Sequence, residues 1–191
     1  MNFAPDSLLA EDSRQSDPSI FQAIRAVIES LDALDDFISD LPDMQYAAKP
    51  ANDMASVGSH VRHSLDHVAA LVRGLADGFV DYDARQRGTE IERSPSAARE
   101  RLAELRGVFE RSVPVKERYL SVRSMLTPDG ETVRAHSSWS RELVFVLNHT
   151  THHQAMMAVA AQALGACVDP RFGFAPSTLA YLDRTPCVQS A

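Results

Sequence analysis

The chain has 191 residues, 45% hydrophobic and 24% charged, an ordinary globular composition at a length that suits one domain with a sizeable core. Nineteen Lys and Arg stand against 26 Asp and Glu, a formal charge of −7, so the excess of cation that a broad nucleic-acid surface needs is absent. Disordered and collagenous classes are excluded by the same totals, and no run approaches the ~18 apolar residues of a bilayer span. Residues 1–16 are rich in acid, Ser and Pro and lack the basic and apolar regions of a secretion signal, so a cytoplasmic protein is expected, with neither nucleic acid nor membrane as partner. Two cysteines, Cys167 and Cys187, are too few for a disulfide framework or a thiolate zinc site and read as buried or idle thiols.

Asp17-Pro18 has the form of an N-cap and N1 proline, and Ile20, Ile24, Ile28, Leu31, Leu34, Ile38 and Leu41 then recur at helical spacing up to Pro42. After an irregular stretch to Pro50, Asn52-Asp53 offers a cap for a second helix from Met54 to about Ala76, with Val57, Val61, Leu65, Val68, Val72 and Leu75 as its stripe. Residues 77–93 form a polar connection with a dense charged string. Ser94-Pro95 opens a third helix through Ala98, Leu102, Leu105 and Phe109, ended or bent by Pro114. Between residues 115 and 133 the spacing allows a short strand pair turned at Pro128-Asp129-Gly130. The fourth helix spans Ser138 to about Leu164 and stops at Gly165. Leu179, Tyr181 and Leu182 can pack back as a helical turn of the tail. The expected fold is therefore all-α: a flexible segment at 1–16, a four-helix bundle with long crossover connections at 17–168, and a packed tail at 169–191.

Six of the seven histidines fall in two windows, His60 to His67 in the second helix and His149 to His153 in the fourth. His149 and His153 are four apart, one turn above each other, so both imidazoles can reach one ion. At about 100° per residue, His153 falls within the stripe Val146, Thr150, Met157, Ala160, Leu164, His149 lies at its edge, and His152 points away. Two imidazoles in an apolar stripe need partners, because an unsatisfied buried polar group costs on the order of 1–3 kcal/mol. A metal ion supplies that explanation better than two separate core hydrogen bonds, given a second histidine cluster to complete the site. In that cluster the helical wheel favours His60 or His67 over His63 as third ligand.

The string Ser56-Val57-Gly58-Ser59-His60-Val61-Arg62-His63 with Asp66, followed far downstream by His149-x-x-x-His153, resembles the DinB superfamily of metal-binding four-helix bundles. The resemblance implies His63, His149 and His153 as ligands of a divalent transition metal, Zn, Ni or Fe. It also implies a small-molecule or thiol substrate, since relatives include bacillithiol transferases and mycothiol-dependent isomerases. This chain departs from the family pattern after the last ligand, with Gln154-Ala155-Met156 where many members carry Arg-Gly-Gln. Asp81-Tyr82-Asp83-x-Arg85-x-Arg87 and the segment Phe172 to Leu179 resemble a less characterised branch.

Three neutral imidazoles leave an ion its full charge and an open position, where acidified water would give hydrolysis and a bound thiolate would give transfer or isomerisation. Asp66 is a candidate acceptor that fixes an imidazole tautomer, or equally a solvated surface carboxylate. Arg62, Arg85 and Arg87 could give an anionic substrate its counter-charge, but arginines interspersed with Asp81, Asp83 and Glu90 read more readily as a solvated ion-pair network. Met156 and Met157 read as core filler and Trp139 as a packing anchor. The competing function is a non-catalytic, metal-stabilised interaction bundle, stress-related and homodimeric; His136 has no role in either reading.

Overall fold

Residues 17–50 and 54–184 are described by the computed structural model. The first helix, α1 (Pro18–Asp40), starts as its sequence predicts: Asp17 accepts from the Ser19 N–H at 2.8 Å and Pro18 stands in the first turn. Its apolar stripe, Ile20 to Ile38, is buried along its length. A short α2 (Asp43–Ala47) lies in the stretch expected to be irregular, anchored by a fully buried Tyr46 whose hydroxyl donates to the Ile91 carbonyl at 2.7 Å.

The second long helix, α3 (Val57–Asp77), is capped by Ser56, whose hydroxyl accepts from the Ser59 N–H. The Asn52-Asp53 cap expected for it falls among residues 51–53, which lie outside the described residues. At its end Gly78 takes φ +67°, a conformation only glycine adopts without steric cost, and the chain turns into β1 (Phe79–Asp81). A 3-10 turn at Glu90–Glu92 precedes α4 (Pro95–Arg111), which Ser94 caps. The expected strand pair is present as β2 (Tyr119–Met125) and β3 (Thr132–Ser138), antiparallel with Val122 opposite Ala135.

The all-α expectation is corrected by β1, which pairs parallel to β2 and makes a three-stranded sheet of order β1-β2-β3. Three residues, Phe-Val-Asp, are too few to show an alternation, so β1 leaves no periodic signal. The last long helix, α5 (Trp139–Ala163), is capped by Ser138 and followed by Gly165 at φ +80°. Among the described residues the molecule is thus mostly helical with one small sheet.

α1 packs against α4 and α5, and α3 packs against the same two helices. Trp139 is fully buried at the head of α5 and donates from Nε1 to the Pro114 carbonyl at 2.9 Å, the anchoring role its position suggests. The tail is tied down earlier than expected. No residue of α6 (Pro176–Arg184) is buried, and Tyr181 and Leu182 are 66% and 43% exposed. The fold-back is made instead by Phe172, stacked on Phe37 with ring centroids 4.2 Å apart, and by Gly173, where a Cβ would run into the backbone of Gln154 and Ala155. Cys167 is exposed rather than buried, and Cys187 lies outside the described residues.

Gly58, in the lead-in to the first histidine cluster, lies against the backbone of the 3-10 turn. A Cβ there would collide with the Glu92 carbonyl and stand 2.7 Å from the Tyr46 ring. Backbone is the obstacle, so Gly58→Ala is expected to cost about 1–3 kcal/mol by overpacking. A lowered urea midpoint with unchanged m would register that loss, and an unaltered midpoint would show that the turn gives way freely.

Candidate metal centre

His60, His63 and His67 project from α3 and His149 and His153 from α5 where these two helices pack, so the two sequence windows form one cluster. His63 Nε2 and His149 Nε2 are 3.0 Å apart, and His60 Nδ1 is 3.1 Å from His153 Nδ1. The His153 ring lies 4.4 Å from that of His63 and 4.6 Å from that of His149, centroid to centroid. The residues expected from the family pattern, His63, His149 and His153, are therefore neighbours. Judged by nitrogen positions, His63, His67 and His149 form the tightest group, each offering a ligand atom within 4.8 Å of the others.

His67 is 6% exposed, an interior residue, as its place near the apolar stripe on the helical wheel suggests. Its Nδ1–H donates to the His63 carbonyl at 3.0 Å, which leaves its Nε2 lone pair free. Its ring is stacked on that of His149 at 4.0 Å and 27°. His152 is exposed but lies at the rim of the cluster, its ring 5.3 Å from that of His153, centroid to centroid, and His136 is exposed.

Burial, then the neighbouring rings and Arg85, hold the imidazoles far below their ordinary range: His63 at about 2, His149 at about 3 and His153 at about 4. His60 and His67 are lowered for the same leading reason. The rings are consequently neutral at physiological pH, the form in which imidazole binds a metal. Among the described residues no carboxylate hydrogen-bonds to any of the five, so the donor set is wholly nitrogen. Such a set fits zinc, nickel or iron rather than calcium or magnesium.

Asp66 does not orient a histidine: it accepts from Arg62 at 2.8 Å, and Arg62, 8% exposed, also donates to Glu92 at 2.7 Å. Arg62 belongs to an ion-pair network, as expected, but a buried one. Arg85 departs from the solvated network predicted for it and donates to His63 Nδ1 at 2.5 Å.

Several neighbours of the cluster escape a reading of the sequence. Tyr82 stacks on His67 at 5.2 Å and 12°, packs on Phe145, and donates to Glu142 at 2.6 Å. Phe145 lies one turn before His149, with ring centroids 5.7 Å apart. Glu142 is fully buried and also accepts from Ser137 and Arg141. The one available signal was spacing: Glu142, Phe145, His149 and His153 follow one another at three, four and four residues along one helix face.

Comparison with protein-family models matches residues 16–171 to the family described as DinB family. Among curated proteins, FK506-binding protein 5 of Rhizopus delemar is 30% identical over 107 residues, which cover 55% of this chain and 28% of that protein. The chain thus spans little more than a quarter of that relative's length. No solved structure matches the chain.

Proposed function

The chain belongs to the DinB family, and on that footing we propose a metal-dependent enzyme in which His63, His149 and His153 hold one divalent transition ion, zinc, nickel or iron. A small molecule or thiol adduct is its substrate. The four long helices are read as the family's bundle, supported by the closed cycle of contacts α1-α4-α3-α5-α1. The reading extends to a cytoplasmic homodimer without nucleic-acid or membrane partners, and among the described residues no helix is long and apolar enough to cross a membrane.

The carrying observation is the mutual inclination of the three rings. An imidazole holds an ion in its own plane, so the planes of three ligands must meet. His63 is inclined to His149 by 62° and to His153 by 72°, and His149 to His153 by 60°. Planes so inclined intersect close to the rings. His67 and His149, stacked at 27° and 4.0 Å, have no such nearby intersection. A second reading, with His67 as third ligand, is favoured by the nitrogen distances alone.

When bound, the ion would supply Lewis acidity, lowering the pKa of a coordinated water or stabilising a thiolate in its place. The chain itself keeps the rings neutral by burial and fixes the His67 tautomer through the His63 carbonyl. Phe145 and Tyr82 wall the site with aromatic surface.

Purified protein is expected to carry about one equivalent of transition metal, lost in His149→Ala without loss of the folded state. Metal analysis of His67→Ala and His153→Ala then assigns the third position: loss in the His153 variant and retention in the His67 variant support the triad of His63, His149 and His153, and the reverse transfers the place to His67. Wild-type protein that neither carries nor takes up metal would refute the reading. Unfolding of every metal-free variant would favour the structural, non-catalytic role.

A further inference from the structure

Three arginines flank the histidine cluster, and their partners differ. Arg62 is neutralised by Asp66 and Glu92, at 2.8 and 2.7 Å. Arg141, lying over the Phe145 ring, is neutralised by Glu142 at 2.7 Å. Arg85 has no carboxylate partner among the described residues; its guanidinium donates to His63 Nδ1. The acids nearest to it in sequence are engaged elsewhere. Asp81 pairs with Arg123 and accepts the N–H groups of Asp83 and Ala84, and Asp83 accepts from the Met125 N–H.

Those same bonds build the segment that presents Arg85. Asp81 closes an Asx turn at the end of β1, Asp83 ties the segment to β2, and Tyr82 between them is pinned by Glu142. The string Asp81-Tyr82-Asp83-x-Arg85 thus acts as a bracket that holds one cation without a carboxylate partner against His63.

This placement matters once the cluster holds a divalent ion, so the role of Arg85 rests on the metal-binding function proposed for the histidines. An imidazole that offers Nε2 to an ion keeps its proton on Nδ1 and can no longer accept from a guanidinium there. Arg85 then loses its acceptor and stands beside a doubly charged ion with no carboxylate of its own, since Asp66 and Asp83, which lie near enough to act on His67, are taken by Arg62 and by the Met125 N–H. A site of neutral nitrogen ligands, a divalent cation and a free guanidinium calls for an anion between the two charges. One guanidinium matches one negative charge, and its planar fork fits a carboxylate.

We propose that Arg85 is the anion-binding residue of this site and that the substrate carries a carboxylate group, held by the Arg85 guanidinium beside the histidine cluster.

The test uses full-length protein loaded with cobalt(II), whose visible absorption reports its coordination sphere. Acetate is titrated as the probe, with acetamide as the neutral control and inorganic phosphate as the competing oxyanion. Wild type is expected to give a saturable spectral change with acetate and none with acetamide. In Arg85→Gln acetate affinity should fall about tenfold or more, as loss of a charge-assisted hydrogen bond implies, and in Arg85→Lys it should fall less. Cobalt stoichiometry should persist in both variants, and Arg85→Gln should bind cobalt at least as tightly as wild type because a nearby cation is gone. Equal acetate affinity in wild type and Arg85→Gln at full cobalt loading, or no acetate response in loaded wild type, would overturn the assignment of Arg85 while leaving the metal site standing. Phosphate binding tighter than acetate would overturn the carboxylate class. Wild type that takes up no cobalt would refute the metal site itself, and the role of Arg85 with it.

Discussion

Replacing Glu142 with alanine is expected to destabilise the fold by about 3–5 kcal/mol, the range for breaking a buried charged network by removing one partner. The side chain is fully buried and accepts from Tyr82 at 2.6 Å, Ser137 at 2.5 Å and Arg141 at 2.7 Å. Truncation strips the acceptor from two hydroxyls and a guanidinium and leaves a void between α5 and the segments that carry Tyr82 and Ser137. The Arg141 side chain is 62% exposed and can turn to water, so most of the cost falls on Tyr82 and Ser137. Glu142→Gln keeps the volume and one acceptor oxygen and should cost less than the alanine variant. Tyr82→Phe should cost about 1–3 kcal/mol, because it removes one donor and leaves Glu142 two others. Urea unfolding of the three variants checks the order Ala, then Gln, with Tyr82→Phe comparable to Gln or milder. Equal stability of Glu142→Ala and wild type would show that water already satisfies this cluster. Because Tyr82 stacks on His67, the Glu142 variants should also shift the His67 ring resonances, a local readout separate from global stability.

The long helices were legible because their signals are local and repeated. Asp17-Pro18, Ser94-Pro95 and Gly165 mark termini by capping chemistry, and the stripes of α1 and α3 repeat over five or more turns. β1 was illegible: its three residues become a strand only because β2, about forty residues downstream, offers a parallel edge. At the centre, spacing alone identified His149 and His153 as neighbours, since four residues along one helix set their separation whatever the rest of the chain does. The choice among His60, His63 and His67 depends instead on the rotation of α3 against α5, a tertiary quantity that periodicity estimates only to within a residue or so. All three rings in fact reach the cluster. The sequence ranks Arg85 as a solvated ion-pair partner ahead of an anion ligand for a related reason. A charged string suggests mutual neutralisation, but Asp81 and Asp83 spend their oxygens on backbone N–H groups and on Arg123, and the sequence cannot show that diversion.

Chelator-treated protein is expected to lose stability progressively as pH falls from about 6.5 toward 4.5. In the unfolded chain the five histidines of the cluster titrate near 6.5. In the folded chain, burial and crowding with other rings hold His63 at about 2, His149 at about 3 and His153 at about 4, and lower His60 and His67 too. Between the two sets of values the unfolded state binds more protons than the native state, so unfolding becomes more favourable as pH drops. Stability is therefore complete above 6.5 and is withdrawn below it. Each group contributes only a fraction of the ~1.4 kcal/mol per pH unit that a full difference would give, because several rings are half exposed and water relieves part of the burial cost. The carboxylates whose values are lowered, Asp17, Glu117, Asp129 and Asp183, act in the same direction but only below about 4.5, so the interval from 6.5 to 4.5 belongs to the histidines. Urea midpoints measured in chelator across that interval should fall toward acid, and the slope should be shallower in His149→Ala, which removes one of the groups. A midpoint that is flat or rises toward pH 5 would mean that the rings meet acidic partners and are cationic in the native state, an environment in which a divalent ion would find no neutral nitrogen to bind.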